Sequence, residues 1–297
     1  MLNPHPGLPE FEYIKPASLV EASQFLAQHV GEARPLLGGT DTFVRMRDGF
    51  WKDKFLVDVK GLPGMTDLSF DPLKGLRVGA AVPMNRMLAL PEITQYYPLL
   101  AEAANTVASY QLRSRATVVG NICNASPAGD TIGACILYDG MLEVHGVDGL
   151  RDEPLAGFFK GPGKTALKPG DIVTAVKLPV PPVGNVGHYI KLGRNKLSDL
   201  SIVGISILAR ADKQAASGYH FRVALASVAP IPLEVKAVTD VLKSEKITPE
   251  LLDKAAQSAM DACNPIDDVR GSARYRKMMV RNLVRRGLDH VWQKLNQ

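Results

Sequence analysis

Apolar and polar positions change period several times along the chain. FEYIKP (11–16) alternates, which predicts a short strand. Ser18 opens SLVEASQFLAQHV (18–30), whose apolar residues recur at helical spacing, so a Ser18-capped helix follows. ARPLL (33–37) predicts a strand that ends on Gly38-Gly39-Thr40. DTFVRMRDG (41–49) predicts a short helix, and KFLVDVK (54–60) another strand. LKGLRVGA (73–80) reads as a strand, with MNRMLAL (84–90) and EITQYYPLLAEAANTVAS (92–109) as helices. Strands alternating with helices indicate an α/β arrangement.

ILYDGMLEVHGVDGLRDEPL (136–155) reads as a helix end and a hairpin, and FFKGPGKTALKPGDIVTAVKLPV (158–180) as turns leading into a strand. PVPPVGNVG (179–187) marks the expected domain boundary, dividing the chain into 1–178 and 187–297. Beyond it GHYIKLG, SIVGISILARAD and HFRVALASVA predict three successive strands. TPELLDKAAQSAMDAC (248–263) and SARYRKMMVRNLVRRGLDHVWQKL (272–295) predict helices. Strands grouped before helices describe a separate, smaller α+β domain.

The 297 residues are 46% hydrophobic and 22% charged, as in ordinary globular proteins. The net charge of +5 is spread out, with no dense basic run interleaved with aromatics, which argues against a nucleic-acid surface. The three cysteines, Cys123, Cys135 and Cys263, are far apart, so no disulfide framework, structural zinc or iron–sulfur cluster is expected within this chain. No apolar run is long enough to span a bilayer, and MLNPHPGLPEFEYIKP has no secretory pattern. The expected location is the cytoplasm.

Three stretches carry candidate chemistry. Gly38-Gly39-Thr40-Asp41-Thr42 sits where a strand meets a helix. It is either a tight turn capped by Thr40 or Asp41, or a cradle of amides and hydroxyls for an anion. In TVVGNICNASPAGDT (117–131), Thr117, Gly120 and Asn121 form a possible second cradle. Ser126-Pro127 predicts the cap and first turn of a helix, DTIGACILYD. Asp130 either complements that helix's dipole or accepts a hydrogen bond from a bound heterocycle. Tyr189 and Lys191 share a strand face, near Arg194 and Asp199. They are an exposed strand face, or an aromatic and a cation that meet a cofactor ring. No Ser-His-Asp or Cys-His spacing, dinucleotide fingerprint or phosphate loop of the G-x-x-x-x-G-K type is present.

The pieces together resemble the FAD-binding middle subunit of molybdenum hydroxylases, the family of the xanthine dehydrogenase flavin subunit and the carbon monoxide dehydrogenase flavoprotein. The resemblance covers nearly the whole chain: FEYIKPASLVEA, PLLGGTDTFVRMR, RSRATVVGNICNASPAGDT, GKTALKPGDIVTAVKLP, YIKLGRNKLSDLSIVG and DDVRGSARYRKMMVRNLVRR follow in order. It implies an α+β chain: an FAD-binding fold of the PCMH/vanillyl-alcohol-oxidase type with two α/β subdomains, then a C-terminal domain with a three-stranded antiparallel sheet plus helices.

The resemblance also implies roles. Leu36, Leu37 and Gly38, Gly39, Thr40, Asp41, Thr42 match the first pyrophosphate-binding segment, and Thr117, Gly120 and Asn121 the second. Asn124 and Asp130 match positions that reach the flavin or its ribityl chain. Ile172 matches an apolar contact to adenine or flavin, Lys191 a lysine near the isoalloxazine, and Tyr189 a residue flanking the ring. The family reads T-x-G-G-N where this chain has Thr117-Val118-Val119-Gly120-Asn121, and a β-branched Val119 disfavours positive φ. The implied function is an electron-transfer subunit with no covalent catalyst. FAD sits in this chain, [2Fe-2S] clusters on a small subunit and molybdopterin on a large one, in a dimer of heterotrimers with an external acceptor or donor. The alternatives are a self-contained FAD oxidoreductase of the same fold and a scaffold that has lost FAD.

Overall fold

In the computed structural model, residues 7–195 and 198–297 are described. The first six residues, where the secretory pattern was sought, and Lys196 and Leu197 within the resembling YIKLGRNKLSDL stretch lie outside them.

The chain opens with β1 (Glu12–Ile14), α1 (Leu19–Gln28), β2 (Ala33–Leu36), α2 (Thr42–Arg47) and β3 (Phe55–Asp58). Ser18 caps α1 as expected: its Oγ accepts from Glu21 N at 3.1 Å, and the Glu21 carboxylate accepts from Ala17 N at 2.7 Å. The three strands form a parallel sheet in the order β1-β3-β2, which leaves β2 at an edge. A small core of Leu36, Met46 and Leu56 holds α2 to this sheet.

Next come β4 (Leu68–Asp71), β5 (Gly75–Gly79), α3 (Met84–Leu88), α4 (Pro91–Tyr96), α5 (Pro98–Asn105), α6 (Tyr110–Arg113), α7 (Val118–Asn124) and α8 (Asp130–Leu137). They are followed by β6 (Met141–Gly146), β7 (Gly149–Pro154), β8 (Phe159–Gly161), β9 (Lys164–Thr165) and β10 (Ile172–Leu178). A five-stranded antiparallel sheet runs β4-β5-β10-β6-β7. Its central strand, IVTAVKL, is apolar nearly throughout because it is paired on both sides and covered on both faces. β6, one place out, alternates buried and half-buried residues.

The last part holds β11 (Val186–Leu192), β12 (Val203–Ala211), β13 (Tyr219–Ala226), β14 (Leu233–Glu234), α9 (Lys236–Lys243), α10 (Pro249–Asp261) and α11 (Ala273–Leu295). The expected three-stranded antiparallel sheet has a fourth member, the two-residue β14. Its pairing is too short to leave an alternation in sequence. The sheet and helices enclose a second core from Ile190 to Val291. Arg276 is buried at its edge, donating to the Ile202 carbonyl at 3.1 Å, the Ser227 carbonyl at 2.8 Å and Asp268 at 2.6 Å. Two carbonyls next to the ends of β12 and β13 are thereby satisfied by a side chain of α11.

α8 joins the two cores. A side chain at Gly133 would meet Ser206 Oγ of β12 at 2.6 Å, so only glycine lets the helix lie this close to the second sheet. Arg222 of β13 donates to the Leu137 carbonyl at 2.9 Å and binds Asp139 and Glu234. The carbonyls at the end of α8 thus receive a cation, as a helix C-terminus favours.

Candidate functional site

The Gly38-Gly39-Thr40 turn follows β2. A Cβ on Gly38 would collide with the Arg115 carbonyl, so the turn lies directly on the segment that precedes Thr117. Gly39 has φ +72°, where a side chain would be strained. Asp41 is the residue at the N-terminus of α2, yet its side chain makes no capping bond. Its Oδ2 instead accepts from Asn124 Nδ2 at 3.1 Å, joining the two glycine-bearing segments across the sequence.

The Thr117–Asn121 stretch is a helix start. Thr117 Oγ1 accepts from Gly120 N at 2.9 Å, and α7 runs to Asn124 before Ala125 ends it at φ 47°. Val119 is fully buried within that first turn and is not among the residues with positive φ, so valine suits its backbone. The backbone at this position is helical, so the β-branched side chain sits there without strain. The amides of Val118 and Val119 have no carbonyl of their own helix to bind. Ser126 does not cap α8: its Oγ accepts from Ala128 N at 3.2 Å within a turn, and Gly129 is the cap residue. The turn postpones the helix because Gly129 N donates to the Ser126 carbonyl at 3.0 Å.

Asp130 then stands at the start of α8, buried, and does more than complement the dipole. Its Oδ2 accepts from Lys191 Nζ at 2.7 Å and its Oδ1 from the Tyr189 hydroxyl at 2.6 Å. Lys191 also donates to the Thr106 carbonyl at 3.1 Å. Burial lifts the Asp130 carboxyl above its ordinary range, against the charge of Lys191 and the two donated bonds. Burial, and then the carboxylate, push the Tyr189 phenol well above its ordinary value, so it stays protonated and donating. The shared strand face expected for Tyr189 and Lys191 thus serves one carboxylate. Arg194 and Asp199 close on themselves, with Asp199 accepting from the amides of Arg194, Asn195 and Leu200.

These segments enclose a cavity of about 510 Å³. Leu37, Gly38, Gly39, Thr40, Asp41 and Thr42 line it, as do Thr117, Gly120, Asn121, Asn124, Asp130, Ile172 and Lys191. Two expected residues do not. Leu36 turns into the small core beneath the turn, because alternate strand residues face opposite sides. Tyr189 is buried behind Asp130, its hydroxyl spent on that carboxylate, so it buttresses the wall. Arg34, Trp51, Ala108 and Asp171 also line the cavity and were not foreseen. The one available sequence signal was Trp51, one of only two tryptophans. Cys123 faces the cavity too, but burial pushes its thiol up to about 12, so it supplies no thiolate.

Residues 9–181 match a family described as the FAD binding domain in molybdopterin dehydrogenase, and residues 188–291 the carbon monoxide dehydrogenase flavoprotein C-terminal domain. The chain belongs to this family. It is 31% identical over 291 residues to the carbon monoxide dehydrogenase medium chain of Hydrogenophaga pseudoflava, covering 96% of this chain and 98% of that one. It is 26% identical over 280 residues to the xanthine dehydrogenase FAD-binding subunit of Escherichia coli O157:H7, covering 94% and 95%. The solved Hydrogenophaga enzyme that lacks the Mo-pyranopterin moiety superposes with a TM-score of 0.91 at 30% identity, over 96% of this chain and 98% of that one. This chain is therefore an FAD subunit of the molybdenum hydroxylase kind, an oxidoreductase component with the two-part fold that the resemblance implied.

The cavity suits FAD chemically. Asn124 Oδ1 is buried there without a hydrogen-bond partner, and a ribityl or ribose hydroxyl is the donor it lacks. Thr40 and Thr42 supply hydroxyls on the same wall. Among the described residues no helix is long and apolar enough to cross a membrane.

Proposed function

We propose that this cavity holds the FAD and that the chain passes electrons between the [2Fe-2S] clusters of a small subunit and an external acceptor or donor. Substrate chemistry then belongs to a molybdopterin-bearing large subunit, the whole being a cytoplasmic dimer of heterotrimers. The observation that carries this reading is the joining of the glycine turn, α7 and the Asp130–Lys191 pair around one cavity, with Asn124 Oδ1 unpaired inside it. The FAD-binding unit is taken as residues 1–178 and the C-terminal unit as 187–297.

FAD, when bound, supplies reversible one- and two-electron transfer. The chain's own residues bind and orient it. The glycine turn and Thr117, Gly120 and Asn121 would hold the pyrophosphate, and Asn124 would accept from the sugar chain. Lys191 and Asp130 set the charge beside the isoalloxazine. Tyr189 keeps the Asp130 carboxylate in place, and the buried wall excludes water. No residue of the cavity forms a covalent bond in this scheme: the one thiol there, Cys123, is held protonated.

The test is the visible spectrum of the purified chain, followed by release and identification of its cofactor. A yellow protein yielding about one FAD per chain is expected. A colourless protein that takes up no added FAD would overturn the reading. Turnover of a small substrate by the chain alone would favour a self-contained oxidoreductase.

A further inference from the structure

The strand that supplies both donors to Asp130 is itself held from outside the cavity. β11 is an edge strand of its sheet, so alternate amides point away from β12. α5 covers that edge. A Cβ on Gly187 would meet the Leu99 backbone nitrogen at 2.9 Å, so strand and helix lie in direct contact there. Three residues on, Glu102 Oε2 accepts from two donors of β11, the Tyr189 amide at 2.8 Å and His188 Nδ1 at 2.9 Å. Just past α5, the Thr106 carbonyl accepts from Lys191 Nζ at 3.1 Å. Leu99, Glu102 and Thr106 follow at helical spacing, so one face of α5 tracks β11 from Gly187 to Lys191. Glu102 is the charged member of this seam. Around it lie His188 and, on α11, Lys294 and His290, whose ring centroid is 4.4 Å from that of His188. Against the burial that raises it, the His188 ring and the Tyr189 amide hold the Glu102 carboxyl below its ordinary range, so it stays an acceptor. Glu102 does not line the cavity. It grips the backbone of the residue whose hydroxyl reaches Asp130, two positions before the residue whose ammonium does.

We propose that Glu102 is a positioning residue: through the backbone of β11 it sets where Tyr189 and Lys191 meet Asp130, and so the charge presented inside the cavity. What this does to the cofactor rests on the FAD reading above. What it does to Asp130 does not, and is measured without flavin.

Three variants of the full chain separate position from charge. Glu102→Gln can keep an oxygen where Oε2 stands and loses the charge. Glu102→Asp keeps the charge and withdraws the oxygen by one methylene. Glu102→Leu removes both. The first measurement is the infrared titration of the Asp130 carboxyl in the flavin-free chain, identified by its loss in Asp130→Asn. Its midpoint is expected to move up in Glu102→Asp and Glu102→Leu, as the ammonium and phenol draw away, and to stay in place in Glu102→Gln. The second is FAD affinity by calorimetry. It is expected to fall about 3- to 30-fold in the Asp and Leu variants, the range for coupling through packed residues that do not touch the ligand, and to stay within about twofold in Glu102→Gln. If Glu102→Leu does not fold, Glu102→Asp decides the question alone. A lower melting temperature with an unmoved Asp130 midpoint would mean a structural role only and overturn the proposal. So would a Gln variant as impaired as the Asp variant, since charge and not position would then matter. A natural chain that binds no FAD overturns the FAD reading, while the Asp130 titration still decides this one.

Discussion

Replacing Lys191 by methionine tests the electrostatics of the cavity without any ligand. The pair is well buried, with side-chain exposures of 13% for Lys191 and 8% for Asp130, and its ions lie 2.7 Å apart. At an effective dielectric constant near 20 their attraction is about 6 kcal/mol before desolvation is subtracted. Removing one partner of a buried pair typically costs about 3–5 kcal/mol, because the other charge stays buried. The methionine fills the space but gives neither Asp130 Oδ2 nor the Thr106 carbonyl a donor. Asp130 is already lifted by burial, and without the ammonium it rises further. A carboxyl raised in the folded state contributes stability that is whole below its unfolded value and is lost as pH climbs through the folded one. The variant should therefore be hurt most in alkali. Thermal unfolding of the flavin-free chain at pH 8 should fall by about 5–8 °C, and by clearly less at pH 5.5. Adding Asp130→Asn should recover most of the loss, since the Tyr189 hydroxyl still finds an acceptor. Equal losses at both pH values, or a double variant as unstable as the single one, would refute the reasoning.

Gly38→Ala should force the turn off the Arg115 carbonyl. We expect a loss of about 1–3 kcal/mol by denaturant titration and FAD affinity at least tenfold lower by calorimetry. Asn124→Ala removes an unpaired buried oxygen, so the flavin-free chain should lose less than about 1 kcal/mol while FAD binds about 5- to 30-fold more weakly; a variant that binds FAD normally would remove Asn124 from the site. Bonds from Arg270 and Arg276 hold the Asp268 carboxyl well below the ordinary range against its desolvation, so its contribution is present above the ordinary carboxylate value and is lost as pH falls through the lowered one. Asp268→Asn should therefore destabilise the chain by about 3 kcal/mol at pH 7 and flatten its acid-unfolding curve, which circular dichroism against pH would show.

Periodicity was enough for the long elements. The Ser18 cap, the alternating β6 and the apolar β10 each follow from a local rule. It failed where tertiary packing overrides local preference. VVGNIC contains β-branched residues, glycine and asparagine, all poor helix formers, yet the Thr117 cap and the burial of Val118, Val119 and Ile122 make it α7. Ser126-Pro127 carried a strong local signal for a helix start, but the backbone first closes a turn. The candidate site was legible as a set of residues because its segments carry a family resemblance. The pairings were not: Asp41 meets Asn124 and Asp130 meets Tyr189 across 83 and 59 residues of chain, which no local pattern encodes. Arg34 and Trp51 were passed over because each is ordinary alone, and only the fold brings them to the cavity wall.

The ammonium and phenol that hold Asp130 come from β11, on the far side of the proline-rich connection, while the carboxylate itself belongs to α8. The cavity is thus a joint product of both halves, and the first half by itself presents a carboxylate with no counter-ion. During synthesis the aspartate emerges from the ribosome some sixty residues before its lysine. A nascent chain therefore holds Asp130 without either of its donors until β11 has been made and has folded back onto α8.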